Sequence, residues 1–592
     1  MPSGAVLPVR LNLALARLRA LIRGTEIGIT VLATLIGAFT GLLVGSVNLA
    51  TQFAHQRFFA LPPGVRLSDA GHLPSARALL VPLLGGALLG TLMWLINRYN
   101  PLRAVDPIEA NALHGGRMSM LDSFLMVAQI LISNSAGASV GLEAAYTQIG
   151  GVIASRAGSA FRMRRSDLRV LVGCGTAAAI ASAFNAPIAG AFYAFELVIG
   201  AYRLNTLAPV AAATITAVSI SQAMGTTGAQ FSIPMPDQLE FANFLPAIVL
   251  GGVAALVGIA IMRLVTATEE VFRIISPPAL LRPVIGGLLV GCLALISPVV
   301  MSGGHGALRS IFWQNLPVVT LAALFILKTI GSAVSLGSGF RGGLFFASLF
   351  LGALLGKIFA LTAGLLPLHE VQIALLPNAA FAIIGMSALA AAIIGGPLTM
   401  TFLALETTAN LPLTSVVLAS CVASSLMVRQ LFGYSFATWR FHLRGEAIKS
   451  PIDIGWIRTL TVQRLMRRDV PCVLTSLSLE EFCKSHPLGS TTRVIVVDEQ
   501  NFYCGVLWLS EAHAANRRHK TVAEMMHKTP CVLYPLLNIK DALDMFRESQ
   551  EDALAVVESR TSPRVLGLLN EHYALRRYAE ELEKHGRELS GE

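Results

Sequence analysis

Long apolar runs recur along this chain and restrict its fold more than any other feature. They lie at 27–50, 79–96, 206–224, 245–262, 282–300, 315–334 and 413–428. About 20 apolar residues in a helix cross the hydrocarbon core of a bilayer. Only helices and closed barrels satisfy every backbone hydrogen bond there. Runs of this length predict a polytopic α-helical membrane domain over the first two-thirds of the chain. Composition agrees, with 54% hydrophobic and 14% charged residues and a mean hydropathy of +0.64. The opening residues lack the pattern of a cleaved leader. Arg10, Arg17, Arg19 and Arg23 precede the first run, which predicts a cytoplasmic N-terminus over residues 1–26. The net charge of +10 fits the usual Lys and Arg excess of cytoplasmic loops and gives no reason to expect a nucleic-acid partner. The seven cysteines form no CxxC pair, so reduced thiols and no metal site are expected.

The character of the chain changes near residue 440. Of the 35 acidic residues, 14 precede Glu446 and 21 follow from there. Two stretches, beginning "TVQRLMRRDVPCVL" and "TVAEMMHKTPCVLY", are about 60 residues apart. Each reads as helix, strand, helix, two strands and helix. Such a unit buries its apolar faces against its copy. The pattern resembles a tandem cystathionine-synthase-type (CBS) pair, a cytoplasmic α/β regulatory module. Its repeats would span 460–515 and 520–580, after a linker at 446–459 and before a tail at 581–592.

The membrane part, 27–445, also repeats. "FNAPIAGAFYAFE" (184–196) matches "IGGPLTMTFLALE" (394–406), and in each the proline precedes the glutamate by nine residues. Upstream lie two glycine-rich stretches, "GLEAAYTQIGG" (141–151) and "GSGFRGGLFFASLFLGALLG" (337–356). Broken apolar segments at matching places in two halves point to a binding site between them. A helix start offers unpaired N–H groups and partial positive charge. Glycine lets a ligand approach them closely. Two such starts together predict an anion site without a full positive charge. The alternative is that the glycines serve helix packing alone.

Glu143 sharpens the choice. It is the sole charged residue between Asp122 and Arg156. A carboxylate in such surroundings needs a role. Burial favours its neutral form and helix N–H groups its ionised form, which suits a switchable group. Pairing with a buried Arg or Lys is the plainer alternative.

These residues resemble the CLC family of anion channels and transporters. "GLEAA", followed by "QIGG", stands for the family's G-[KR]-E-G-P motif and keeps its Gly141 and Glu143. "GLFFA" (343–347) stands for G-x-F-x-P and keeps Gly343 and Phe345, "AFNAPIAG" (183–190) is close to the family pattern, and "GYSFA" places Tyr434 at an anion-coordinating tyrosine. The resemblance implies a CLC-like fold of two inverted repeats with broken helices, in a homodimer with a pore in each subunit. It implies that Glu143 gates the pore. Amides near Leu344 and Phe345, with the Tyr434 hydroxyl, would coordinate chloride or a similar small monovalent anion. No enzymatic activity is implied; neither a catalytic triad nor a P-loop is evident.

Three departures bear on mechanism. The serine of the family's G-S-G-x-P motif is replaced by Ala104 in "RAVDP" (103–107), leaving only a backbone contact there. Leu197 follows Glu196 where proton-coupled members often carry a second glutamate. Glu196 and Glu406 themselves are expected to accept structural hydrogen bonds. In the CBS repeats, Glu511 and Tyr573 stand where a nucleotide-binding repeat has its ribose aspartate, so no cofactor is implied. His305 is expected in a loop, not on a metal.

The expectation is therefore a multi-pass protein of the plasma membrane, or of the inner membrane in a Gram-negative bacterium, with both termini cytoplasmic. It would carry chloride through a channel-like or weakly proton-coupled path. A chloride/proton antiporter is the alternative. A membrane sensor with CBS output and no flux is a reading from a different class.

Overall fold

The structure is a computed structural model. It describes residues 25–99, 104–225, 241–275, 277–364, 376–443, 460–515, 521–528 and 531–590. The expected linker at 446–459, and all but two residues of the expected N-terminal segment, lie outside them. The chain divides into two units, Met1–Asp453 and Ile454–Glu592.

Eight helices among the described residues are long and apolar enough to cross a membrane. They are Glu26–Phe59, Ser75–Tyr99, Arg165–Phe184, Leu204–Ala223, Phe244–Ile275, Val318–Gly337, Phe345–Ala363 and Leu411–Leu443, the last broken into Leu411–Leu431 and Phe436–Leu443. On the first, Ile27, Val31, Leu35, Phe39 and Leu42 form an exposed apolar stripe. Water would not tolerate so large a patch, whereas lipid does. The 282–300 run gives a shorter element. Arg282–Ile296 stops at the extended Ser297, and Pro298 opens a 3-10 turn. Arg165–Phe184 is a span that the runs did not reveal. It is mostly buried and rich in Ala and Gly, which pack helix on helix without high hydropathy.

In the second unit, β1 (Cys472–Leu474), β2 (Arg493–Val497) and β3 (Tyr503–Trp508) form one sheet in that order. β1 is parallel and β3 antiparallel to β2. β4 (Ala553–Val557) and β5 (Val565–Asn570) form an antiparallel pair. Leu533 bridges in parallel to Val556, as Val473 pairs with Val496 sixty residues earlier. The copies exchange contacts reciprocally. Thr461 bridges Asn538, and Ser478 bridges Thr521. Arg467 bridges Leu568, and Val506 bridges His527. Ile495, Val497 and Ala555 share a core with Val470, Tyr503, Val565 and Leu568. Each copy thus covers what the other would expose.

The membrane unit repeats by the same logic. Helices Glu143–Ala160 and Arg165–Phe184 meet where a Cβ on Gly150 would strike the Gly175 carbonyl, and the reverse. Helices Phe345–Ala363 and Asn378–Ile394 meet in the same way at Gly352 and Gly385. The Pro…Glu duplication is reciprocal too. Glu406 accepts hydrogen bonds from the amides of Ile188 and Ala189, both at 2.8 Å. Glu196 accepts from the amides of Leu398 (2.9 Å) and Thr399 (2.8 Å) and from the Thr399 hydroxyl (2.5 Å). Each carboxylate therefore caps the proline-led helix start of the other half. Removing either should cost about 2 kcal/mol, the size of a charge-assisted bond. Glu196→Gln and Glu406→Gln are expected to lower the thermal unfolding temperature in detergent while leaving transport by the folded fraction intact. Loss of transport from fully folded variants would instead give these groups a functional role.

Candidate functional site

The two glycine-rich helix starts touch. Gly141 and Gly343 form an antiparallel bridge. The Gly141 amide donates to the Gly343 carbonyl at 2.9 Å, and the Gly343 amide returns a bond at 3.3 Å. Two residues on, helices Glu143–Ala160 and Phe345–Ala363 begin. Their caps, Leu142 and Leu344, make no side-chain capping bond. The loops before them are pinned. Asn134 donates to the Val140 carbonyl (2.7 Å) and to Ser302 Oγ (3.3 Å). Ser335 Oγ accepts from the Ser139 amide at 2.9 Å. Two fixed, uncapped helix starts are thus held side by side, which is the preorganisation an anion site needs.

The Glu143 side chain folds back over this junction. Its carboxylate lies so close to the Gly141 Cα that a Cβ there would collide with Oε2. The side chain is 3% exposed, and neither oxygen has a hydrogen-bond partner. The amides of Glu143 and Phe346 interact favourably with it without meeting hydrogen-bond geometry. No Arg or Lys forms an ion pair with Glu143 among the described residues. The titratable side chain that approaches is His305, with Nε2 4.0 Å from Oε1.

Glu143 opens onto a cavity of about 680 Å³. Ala104, Leu197, Leu344 and Phe345 line it, so the structure brings these expected positions together. The cavity holds charges of both signs, with Asp106, Glu109, Asp122 and Glu269 against Arg273, Arg282, Arg341 and Arg440. Tyr434 is placed elsewhere. Gly433, at φ +83°, ends the preceding helix, and helix Phe436–Leu443 turns Phe436, Ala437, Arg440 and Phe441 to the cavity instead. The Tyr434 hydroxyl lies 3.3 Å from Nδ1 of His442, and its ring stacks on that imidazole.

Two residues of the site escaped the sequence reading. Tyr193 lines the cavity, with its ring centroid 6.2 Å from that of Phe345. Its place between Pro187 and Glu196, inside a duplicated motif, was the available signal. His305 was expected in a loop. It opens the helix His305–Ile311 and stacks on Phe346 with ring centroids 3.5 Å apart. Its nearness to Glu143 arises from residues far apart in sequence and left no local trace.

Residues 85–429 match the family model described as voltage gated chloride channel. A voltage-gated ClC-type chloride channel, ClcB, of Salmonella typhimurium is 30% identical over 410 residues, covering 68% of this chain and 95% of its own length. A slow cyanobacterial Cl−/H+ antiporter has a similar structure at TM-score 0.61 and 23% identity, covering 70% of this chain and 97% of its own. A eukaryotic CLC transporter structure matches at TM-score 0.59 and 15% identity, covering 94% of this chain and 98% of its own. This chain belongs to the voltage-gated chloride channel (CLC) family.

Proposed function

We propose that the protein carries chloride across the membrane, with Glu143 as the gate. The observation that carries this reading is the Glu143 carboxylate. It is buried without a hydrogen-bond partner, on two bridged and uncapped helix starts, at the head of a cavity. An ionised carboxylate takes the place that an anion would take. When Glu143 is protonated or displaced, the space over the helix starts opens to chloride, which the amides of Leu344 and Phe345 would coordinate. No full positive charge is needed, so the ion binds and leaves. The backbone at Ala104 borders the same cavity. Tyr193 supplies the phenol that Tyr434 was expected to supply. In further detail, the halves are inverted repeats, supported by their reciprocal carboxylate caps. The second unit is a CBS pair, supported by its sixty-residue reciprocal pairing. The protein works as a homodimer in the plasma or inner membrane, with cytoplasmic termini.

Flux is channel-like or weakly proton-coupled, because Leu197 holds no proton. Chloride/proton antiport is the second reading, favoured by one observation. The cavity that Leu197 lines also reaches Glu143, Asp106 and Glu109, so solvent there offers a route that bypasses a carboxylate at Leu197.

Chloride efflux from proteoliposomes, recorded with external pH, tests this. Low pH neutralises the Glu143 carboxylate and weakens its hold on the helix starts, so flux rises as pH falls. Glu143→Gln is expected to lose that dependence and stay open. Uphill proton movement driven by chloride selects antiport. Flux without it selects the channel-like reading, and no flux promotes the sensor. Tyr193→Phe is expected to weaken chloride binding roughly tenfold, the size of one hydrogen bond to a charged group, and Tyr434→Phe to leave it unchanged. Calorimetric titration of chloride onto the purified variants decides between the two tyrosines.

A further inference from the structure

The segment carrying His305 is held more firmly than a connecting loop requires. Gly304 adopts φ +99° to turn the chain into the helix His305–Ile311. Ser68 Oγ accepts from the amides of Gly306 (3.0 Å) and Ala307 (3.2 Å). Lys328, fully buried, donates to the carbonyls of Val300 (3.0 Å) and Ser302 (2.6 Å) just before the turn. Lys357 donates to the carbonyls of Ile311 and Gln314 at the other end. Two buried lysine amino groups thus clamp one short helix at both ends. Buried lysines are costly, and what this clamp fixes is the imidazole of His305 on the Phe346 ring.

That imidazole stands between two kinds of space. Its side chain is 26% exposed. It lines two small cavities, of about 110 and 40 Å³, that Arg66 also lines. Glu143, 4.0 Å away, lines the large one. A stacking role alone would be met by any flat ring; imidazole adds two nitrogens that can each hold a proton, and because burial and the nearby Arg66 and Lys328 hold its pKa well below the ordinary value, a proton taken up there is quickly passed on. The charged and titratable groups around it are Glu143 and Tyr146 from one helix, His55 from another, Arg66 and Asp69 from the turn beneath, Lys328 and Lys357 from the clamp, and Arg309 on its own helix.

We propose that His305 is a proton-transfer residue of the gate, passing protons between the small cavities and the Glu143 carboxylate. This rests on the gating role of Glu143 given above. An acid in the small cavities gives a proton to Nδ1. The imidazolium then gives up its Nε2 proton, breaking that N–H bond as an O–H bond forms at Oε1 of Glu143. The ring is left neutral with its proton on Nδ1 and returns by tautomer exchange with solvent. The 4.0 Å gap closes by a side-chain rotation or one bridging water. Reversal discharges Glu143 along the same path.

Chloride flux against pH, equal on both faces, tests this in wild type, His305→Gln and Glu143→Gln. His305→Gln is expected to slow the pH-dependent flux about 100-fold, the lower end for a positioned acid–base group, and added imidazole restores it. A pH-jump measurement on the infrared band of the Glu143 carboxyl reads proton arrival directly and slows by the same factor. Glu143→Gln identifies the band by its loss. Wild-type flux and pH-jump rates in His305→Gln overturn the proposal. So does slow flux that imidazole leaves unrestored beside a wild-type pH-jump rate, which marks a structural role. Absence of flux in the wild type overturns the transport reading instead, and the pH-jump rate still decides the role of His305.

Discussion

The bridge between Gly141 and Gly343 is the contact on which the membrane unit depends. It is only two hydrogen bonds. Yet it brings together two helix starts from opposite halves, and both halves are arranged so that it forms. The Gly150–Gly175 and Gly352–Gly385 contacts set each helix against the next in its own half. Glu196 and Glu406 then tie each half to the other. All of these involve the backbone on at least one side, and a Cβ at Gly150, Gly175, Gly352 or Gly385 would strike the carbonyl it faces and push the helices apart. In lipid, where apolar burial between helices gives little, close approach and satisfied polar groups have to supply the specificity.

Much of this was legible in the sequence because the chemistry is local. Apolar length marks a span, glycine marks a close approach, and a lone glutamate among them marks a cost that must be met. The duplicated Pro…Glu spacing put Glu196 and Glu406 at matching places, where structural hydrogen bonds were expected. What it did not foretell was that each carboxylate would cap the other half, since reciprocity is a property of the fold. The 282–300 run read as a span because periodicity cannot see a Ser-Pro break ending the helix at Ile296. Arg165–Phe184 escaped because a helix buried in protein needs small residues more than hydropathic ones.

The site divides along the same line. Glu143, Leu344 and Phe345 were singled out because glycine motifs announce helix starts wherever they occur, and all three line the cavity. Tyr434 was placed by its motif, and the turn at Gly433 sends it to His442 instead. A residue flanking a short helix moves through a large angle with each step, so a motif match there fixes position along the chain better than direction in space. Tyr193 and His305 are the converse. Neither belongs to an anion motif, and both arrive by tertiary contact.

Glu143 and the pair Glu196 and Glu406 show how one residue type serves two ends in one unit. The latter two each meet at least two amides in full hydrogen-bond geometry, which fixes them as charged caps. Glu143 sits at helix starts of the same kind and meets none. A carboxylate that satisfied those amides fully would be a permanent cap, and the path would stay closed. One that is near them but unsatisfied has little to lose on protonation or on displacement by another anion. On the gating role proposed for Glu143, the weakness of its bonding is what lets a buried acid at this junction open and close.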